Sequence, residues 1–76
     1  MKLNSDQRRV LEMLAGSGPR GCAEAVLRAY GFDTAMLAEL VNAGLASRLP
    51  EQVRAGGRSI DVARFKITDA GRTALA

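Results

Sequence analysis

The chain has 76 residues, of which 47% are apolar and 25% charged, and this composition predicts a single globular domain over residues 1–76. It contains no histidine, one cysteine and eight scattered carboxylates, which excludes the usual metal-ligand clusters and catalytic pairs, so we expect no enzyme, metal or cofactor. No apolar run approaches the ~20 residues that cross a membrane, and no leader opens the chain, so we expect a cytoplasmic protein without membrane contact.

The net charge of +3 is unevenly distributed along the chain. Residues 1–45 carry five basic and five acidic side chains, whereas residues 46–76 carry six basic and three acidic ones. Nine of the eleven cations are arginine, whose planar guanidinium suits phosphate and base edges. The excess positive charge therefore lies in the second part of the chain, where it either aids solubility or marks an anion-binding surface.

The first predicted helix begins after Asn4. Asn4 is a good N-cap, and Gln7 three residues later completes a capping box. The apolar residues of its inner face are Val10, Leu11 and Leu14. The stretch GSGP at residues 16–19 ends this helix, because glycine and proline both interrupt helical structure.

A second helix is predicted over residues 22–30, and Gly31 ends it in a left-handed conformation. Its residues that are expected to face the core, at helical spacing, are Ala23, Val26, Leu27 and Tyr30. The break before the next helix has three residues and contains a glycine. That spacing is typical of a helix-turn-helix.

The third helix, about residues 34–43, has clearly marked ends. Asp33 is a strong N-cap, and Phe32 and Leu37 form a hydrophobic staple that fixes the entry of the chain. Gly44 ends the helix in a Schellman motif, in which Leu45 contacts Leu40. The residues predicted to face inward are Leu37, Leu40 and Val41.

From residue 46 onward the apolar period becomes that of β-strands. Residues 46–53 and 59–67 are predicted as two strands around a tight turn at Gly56-Gly57, which pairs Val53 with Ile60. Thr68 then caps a short last helix.

The same count places Leu49 opposite Arg64, on the face away from Phe65 and Ile67, which are predicted core residues. Pro50 cannot donate a hydrogen bond to a neighbouring strand, so a β-bulge at Pro50 would return Leu49 to the core face.

The predicted order resembles the winged helix-turn-helix superfamily. The stretch LAELVNAGLASR followed by VARFKITDAGRTAL looks like MarR-type bacterial transcription regulators. In those proteins a helix that ends in Gly-Leu leads into a two-stranded wing. The wing returns through an apolar-x-apolar-Thr stretch, here Phe65-Lys66-Ile67-Thr68, into Thr-x-x-Gly-Arg, which here ends at Arg72.

This resemblance implies an α+β domain in which three helices precede a two-stranded wing and a short C-terminal helix. It implies binding to double-stranded DNA and transcription regulation, with about residues 34–43 as recognition helix and about 46–67 as wing. MarR-type proteins carry further terminal helices, for which this chain has no room, and their wing tip differs from RAGGR. Their dimer and their effector site are therefore not implied.

The candidate DNA-binding residues lie on the third helix and the wing. The residues on the outward face of the helix are Thr34, Ala35, Ala38, Glu39 and Asn42. Asn42 can pair with adenine, and Thr34 can contact a phosphate or a thymine methyl group. Arg54 and Arg58 are expected to project together from the wing tip to phosphates or the minor groove, and Arg64 extends this patch. The same residues also fit a solvated helix face and a solvated hairpin end.

Three further points remain open: a different function, a homodimer and the role of Cys22. One is a winged-helix protein-interaction module without sequence-specific DNA binding, with the third helix or the strand of Ile60 and Val62 as its contact surface. A homodimer could cover leftover apolar residues such as Ile60, Val62 and Met13. Cys22 fits a small half-buried filler or a redox-sensitive thiol.

Overall fold

The structure is a computed structural model that describes residues 2–76, and within them it contains four helices and a three-stranded antiparallel sheet. In chain order the elements are α1 (Ser5–Ala15), β1 (Cys22–Ala23), α2 (Glu24–Ala29), α3 (Thr34–Asn42), β2 (Ala46–Ala55), β3 (Arg58–Ile67) and α4 (Asp69–Leu75). The strands lie in the order β1-β3-β2, so the hairpin of β2 and β3 is joined by β1 on the free side of β3. The prediction of an α+β domain is confirmed, and the prediction of only two strands is wrong.

The start of α1 confirms the predicted capping box. The Gln7 amide N–H donates to Asn4 Oδ1 at 2.7 Å, and the Asn4 amide N–H donates to Gln7 Oε1 at 3.0 Å. Because both side chains satisfy N–H groups that the helix itself leaves without a partner, they fix where α1 begins.

The predicted second helix is too long. Cys22 and Ala23 pair with Phe65 and Arg64 of β3 and form β1, so α2 begins only at Glu24. Gly21 permits this, because a Cβ atom at that position would overlap the Phe65 carbonyl oxygen. The backbone of residues 22–23 is thus held by the free edge of β3 instead of by a helical turn.

The shortened α2 buries a narrower face than its sequence suggests. Leu27 is fully buried, but Val26 is 45% exposed and Tyr30 is 64% exposed, so their predicted core positions are wrong. Gly31 has a positive φ of 93°, as predicted, and four residues separate α2 from α3.

Both ends of α3 agree with the sequence prediction. Asp33 Oδ1 accepts a hydrogen bond from the Met36 amide N–H at 2.8 Å. Gly44 has a φ of 78°, and the Leu45 amide N–H donates to the Leu40 carbonyl at 3.0 Å. The Gly44 amide N–H also donates to the Val41 carbonyl at 3.0 Å, which completes the Schellman motif. The orientation of α3 is therefore fixed by local chemistry at each end.

The hairpin follows one register from the Ala46–Ile67 pair to the Ala55–Arg58 pair, so the predicted bulge at Pro50 is wrong. Gly56 and Gly57 have φ values of 59° and 78°, which a two-residue type I′ turn requires. Counted from that turn, Pro50 and Ala63 form a non-hydrogen-bonded pair, so the missing N–H of proline faces the free edge of β2. The ladder loses no bond, and Leu49 stays exposed.

The hydrophobic core lies between the helices and the base of the sheet. Its buried residues are Val10, Leu11, Leu14, Leu27, Phe32, Leu37, Leu40, Leu45, Ala46, Ala63 and Phe65. Between the end of α3 and the start of α4, the Thr68 hydroxyl donates to the Gly44 carbonyl at 2.6 Å and accepts from the Gly71 amide N–H at 3.0 Å. Thr68 therefore caps α4, as predicted, and also ties it to the end of α3.

Candidate nucleic-acid interface

The predicted recognition surface of α3 is exposed along its whole length. Because Leu37 and Leu40 are buried, the opposite side of α3 faces outward. Its exposed residues are Thr34, Ala35, Ala38, Glu39 and Asn42. Three of them follow a spacing of four residues and form one ridge along the helix, which we call the α3 ridge: Thr34, Ala38 and Asn42.

The α3 ridge borders the hairpin. A shallow hollow of about 170 Å³ separates them, and its lining is mostly apolar. The residues around it are Glu24, Thr34, Ala38, Val41, Asn42, Arg48 and Phe65. The structure therefore brings a cation of β2, Arg48, next to the polar residues of α3.

Arg48 is a candidate that sequence reasoning missed. It pairs with Phe65 across the hairpin, and side chains of directly paired residues point to the same face. The signal was present in the sequence, because the register counted from Gly56-Gly57 already assigns Arg48 to the Phe65 face. The sequence does not show that α3 packs beside that face.

The hairpin has two faces with different side chains. We call the face that carries Phe65 the helix-side face, since it contacts the core and borders the hollow beside α3. We call the opposite one the outer face. Arg54 pairs with Ser59, and Arg58 pairs with Ala55, so these neighbouring pairs alternate between faces. Arg54 belongs to the helix-side face and Arg58 to the outer face.

The two arginines of the tip therefore do not project together, contrary to the sequence prediction. Both are exposed, but only Arg54 lies on the same face as Arg48 and on the side of α3. The reason is the even number of turn residues, because Gly56-Gly57 places Ala55 and not Arg54 opposite Arg58.

Arg64 lies on the outer face and is engaged within the protein. Its Nε donates to Glu51 Oε2 at 2.8 Å, and its side chain is only 28% exposed. Arg20 also binds Glu51, with Nη2 3.2 Å from Oε1. The structure thus groups Arg64 with Glu51 and Arg20, and not with the α3 ridge.

Two carboxylates on the helix-side face border the area that could attract phosphate. An open groove of about 600 Å³ lies between the start of α2 and the hairpin, and its lining includes Glu24, Arg48 and Asp61. Glu24 and Asp61 repel phosphate, whereas Arg48 attracts it. The candidate interface is therefore the α3 ridge with Arg48 and Arg54, bounded by these two carboxylates.

Cys22 lies in β1, half-buried, and packs against the core. Its Sγ is 3.7 Å from the Ala23 carbonyl oxygen, in the position of a small filler. Among residues 2–76, no three His, Cys, Asp or Glu side chains are close enough together to hold a metal ion. Over the same residues, no helix has the length and apolar character that crossing a membrane demands.

Comparisons with known proteins give no relative: no protein-family model, no curated protein and no solved structure matches the chain.

Proposed function

We propose that this chain is a small protein that binds double-stranded DNA and regulates transcription. In this proposal it is a winged-helix domain similar to MarR-type bacterial regulators, with α3 as recognition helix and the β2–β3 hairpin as wing. The observation that carries the proposal is the meeting of the exposed α3 ridge with Arg48 and the helix-side face of the hairpin. The four-residue, glycine-containing break between α2 and α3 also supports it.

The α3 ridge offers few but suitable groups for reading bases in the major groove. The Asn42 amide can donate to N7 and accept from N6 of the same adenine, and Thr34 can contact a phosphate or a thymine methyl group. Ala35 and Ala38 permit close approach. Glu39 can accept a hydrogen bond from cytosine N4, but it repels the phosphates on either side. Base discrimination in this proposal therefore depends mainly on Asn42.

Arg48 and Arg54 supply the phosphate contacts. They lie six residues apart on one face of β2, which corresponds to roughly 20 Å along the strand. Each phosphate that a cation neutralises adds about 0.9 to the magnitude of the salt slope of binding. Two such contacts give a slope of about two, which corresponds to weak binding by one copy of the chain.

A homodimer belongs to the same proposal, because a regulator that reads a palindromic site needs two copies. Met13 is partly buried and packs against the core, so only part of its side chain is accessible for that contact. Sedimentation at micromolar concentration tests this part, and a species of 8.1 kDa at all concentrations would contradict it.

Fluorescence anisotropy with a random-sequence duplex at two salt concentrations tests DNA binding. We expect saturable binding that weakens as salt rises, with a slope near that of two phosphate contacts. Absence of binding at low salt would contradict the proposal. The interpretation as a protein-interaction module without sequence-specific DNA binding would then stand first.

A further inference from the structure

The outer face of the hairpin exposes apolar side chains that the core does not use. Leu49 and Val53 are each 41% exposed and Ile60 is 47% exposed, and Val62 beside them is half-buried. The register places all four on the outer face. Together they form what we call the apolar stripe. Val53, Ile60 and Val62 are neighbours on this face, whereas Glu51 lies between Leu49 and Val53 on β2. Clustered exposed apolar residues mark contact surfaces more often than isolated ones do.

Cations surround the apolar stripe. The charged residues of this region are Arg20, Arg58, Arg64, Lys66 and Glu51. Glu51 is the only carboxylate among them, and it already accepts hydrogen bonds from both Arg20 and Arg64. The outer face therefore has a clear positive excess. On the helix-side face, Arg48 shares a groove with Glu24 and Asp61, and the lining of this groove also includes Glu51 and Val62.

We propose that the outer face docks a short acidic, amphipathic segment of another protein. Such a segment matches both features, because its apolar side chains cover the stripe and its carboxylates meet the surrounding cations. DNA phosphates would meet the cations but leave the apolar stripe in water. A second copy of this chain packed on this face would bring like charges together, so the homodimer proposed above would need a different contact surface. This docking surface does not depend on DNA binding, which uses the other face.

The geometry favours docking onto the face over addition of a strand to the edge. The stripe spans five residues of β2, from Leu49 to Val53, and the four steps between them measure about 13 Å. Two turns of a helix cover about 11 Å, so a helix with apolar residues at i, i+3, i+4 and i+7 fits this length. The free edge of β2 lacks an N–H donor at Pro50, in the middle of the strand, and this disfavours pairing with an added strand.

A peptide titration tests the docking surface. The probe is a synthetic helix-forming peptide with leucines at that spacing and glutamates on both sides of them, added to the ¹⁵N-labelled chain. We expect saturable amide shifts centred on Val53, Ile60 and Val62. The double substitution Val53→Ser/Ile60→Ser should weaken binding by about tenfold, because it removes apolar contact area. A matched peptide in which lysine replaces glutamate should not bind.

Two matched variants make the test specific. Val26→Ser/Tyr30→Ser removes exposed apolar side chains from α2 and from the residue that follows it, and it should leave the affinity within about twofold of the original. Arg58→Glu on the outer face should weaken binding by at least about threefold, and Arg54→Glu on the helix-side face should not. The charge variants test the proposal independently if the serine variant unfolds, which circular dichroism would reveal.

Several results would overturn the proposal. No saturable shifts with the acidic peptide would do so, as would equal binding of the lysine peptide or shifts confined to α2. It is also wrong if the stripe amides respond to duplex DNA or to phosphatidylglycerol vesicles but not to the acidic peptide. Shifts of the same amides with protein concentration alone would indicate self-association instead.

Discussion

The helix-side and outer faces of the hairpin belong to the same two strands but have different chemistry. The helix-side face begins in the core at Phe65 and continues past Arg48 to Arg54 at the tip. The outer face exposes the apolar stripe, and cations surround it. The difference shows that a compact basic motif such as RAGGR does not define one surface, because strand alternation sends its arginines to opposite sides.

The largest expected effect is on the free energy of unfolding, and it compares how much each face contributes to the stability of the fold. Phe65→Ala should lower the free energy of unfolding by about 3–5 kcal/mol, because it empties a buried site at the base of the helix-side face. Ile60→Ala on the outer face should change it by about 0.5 kcal/mol or less, because Ile60 is exposed. Urea denaturation measures both variants. Equal losses would mean that the outer face is also packed in the folded protein.

The second prediction concerns α3, whose orientation gives the helix-side face its polar neighbour. Gly44→Val should cost more than about 1 kcal/mol, because valine at a φ of 78° is strained and the Schellman motif depends on that conformation. Asp33→Ala should cost about 1 kcal/mol, because it removes the acceptor for the Met36 amide N–H. Glu39→Ala, an exposed mid-helix change, is the control for thermal unfolding. If neither variant melts earlier than the control, the ends of α3 do not contribute as described.

The ends of the helices were predictable because capping is local chemistry. Asn4, Asp33 and Thr68 each accept from a backbone N–H three residues later, and no distant contact is needed to recognise this. The hairpin register near the turn was predictable for a similar reason, because Gly56-Gly57 fixes the count. The bulge predicted at Pro50 was wrong, because the register continues unbroken past Pro50 to the Ala46–Ile67 pair.

The features that the sequence did not reveal depend on contacts between distant residues. The two residues of β1 carry no strand pattern of their own, and they are held only because the chain passes the free edge of β3. Val26 and Tyr30 have the spacing of a core face, but Leu27 alone reaches the core from α2. Arg48 becomes a candidate site residue only because α3 packs beside its face of the hairpin. None of these contacts can be read from local periodicity.

A third, smaller effect concerns the charges of the two faces. Glu51→Gln should lower the free energy of unfolding by less than about 1 kcal/mol, because the ion pairs with Arg64 and Arg20 are partly exposed and screened by solvent. Asp61→Asn removes a carboxylate from the helix-side face that forms no ion pair among residues 2–76, and it should have no measurable effect. Urea denaturation at low and high salt measures both changes. A loss for Glu51→Gln that does not shrink with salt would argue against an electrostatic origin.

The smallest effect is the most informative about function, since it separates the two arginines of the tip. Arg54→Ala should reduce the magnitude of the salt slope for duplex DNA by about 0.9, because it removes one of the two proposed phosphate contacts, on the side of α3. Arg58→Ala removes the same charge from the outer face and should leave the slope unchanged. Asn42→Ala should leave the slope nearly unchanged and reduce discrimination between sequences, because in the proposed function its amide reads a base edge. All three residues are exposed and lie outside the core, so the fold should survive each change. If Arg58→Ala flattens the slope as much as Arg54→Ala does, DNA contacts both faces of the tip, and the division of the hairpin into a DNA-binding face and a protein-docking face is wrong.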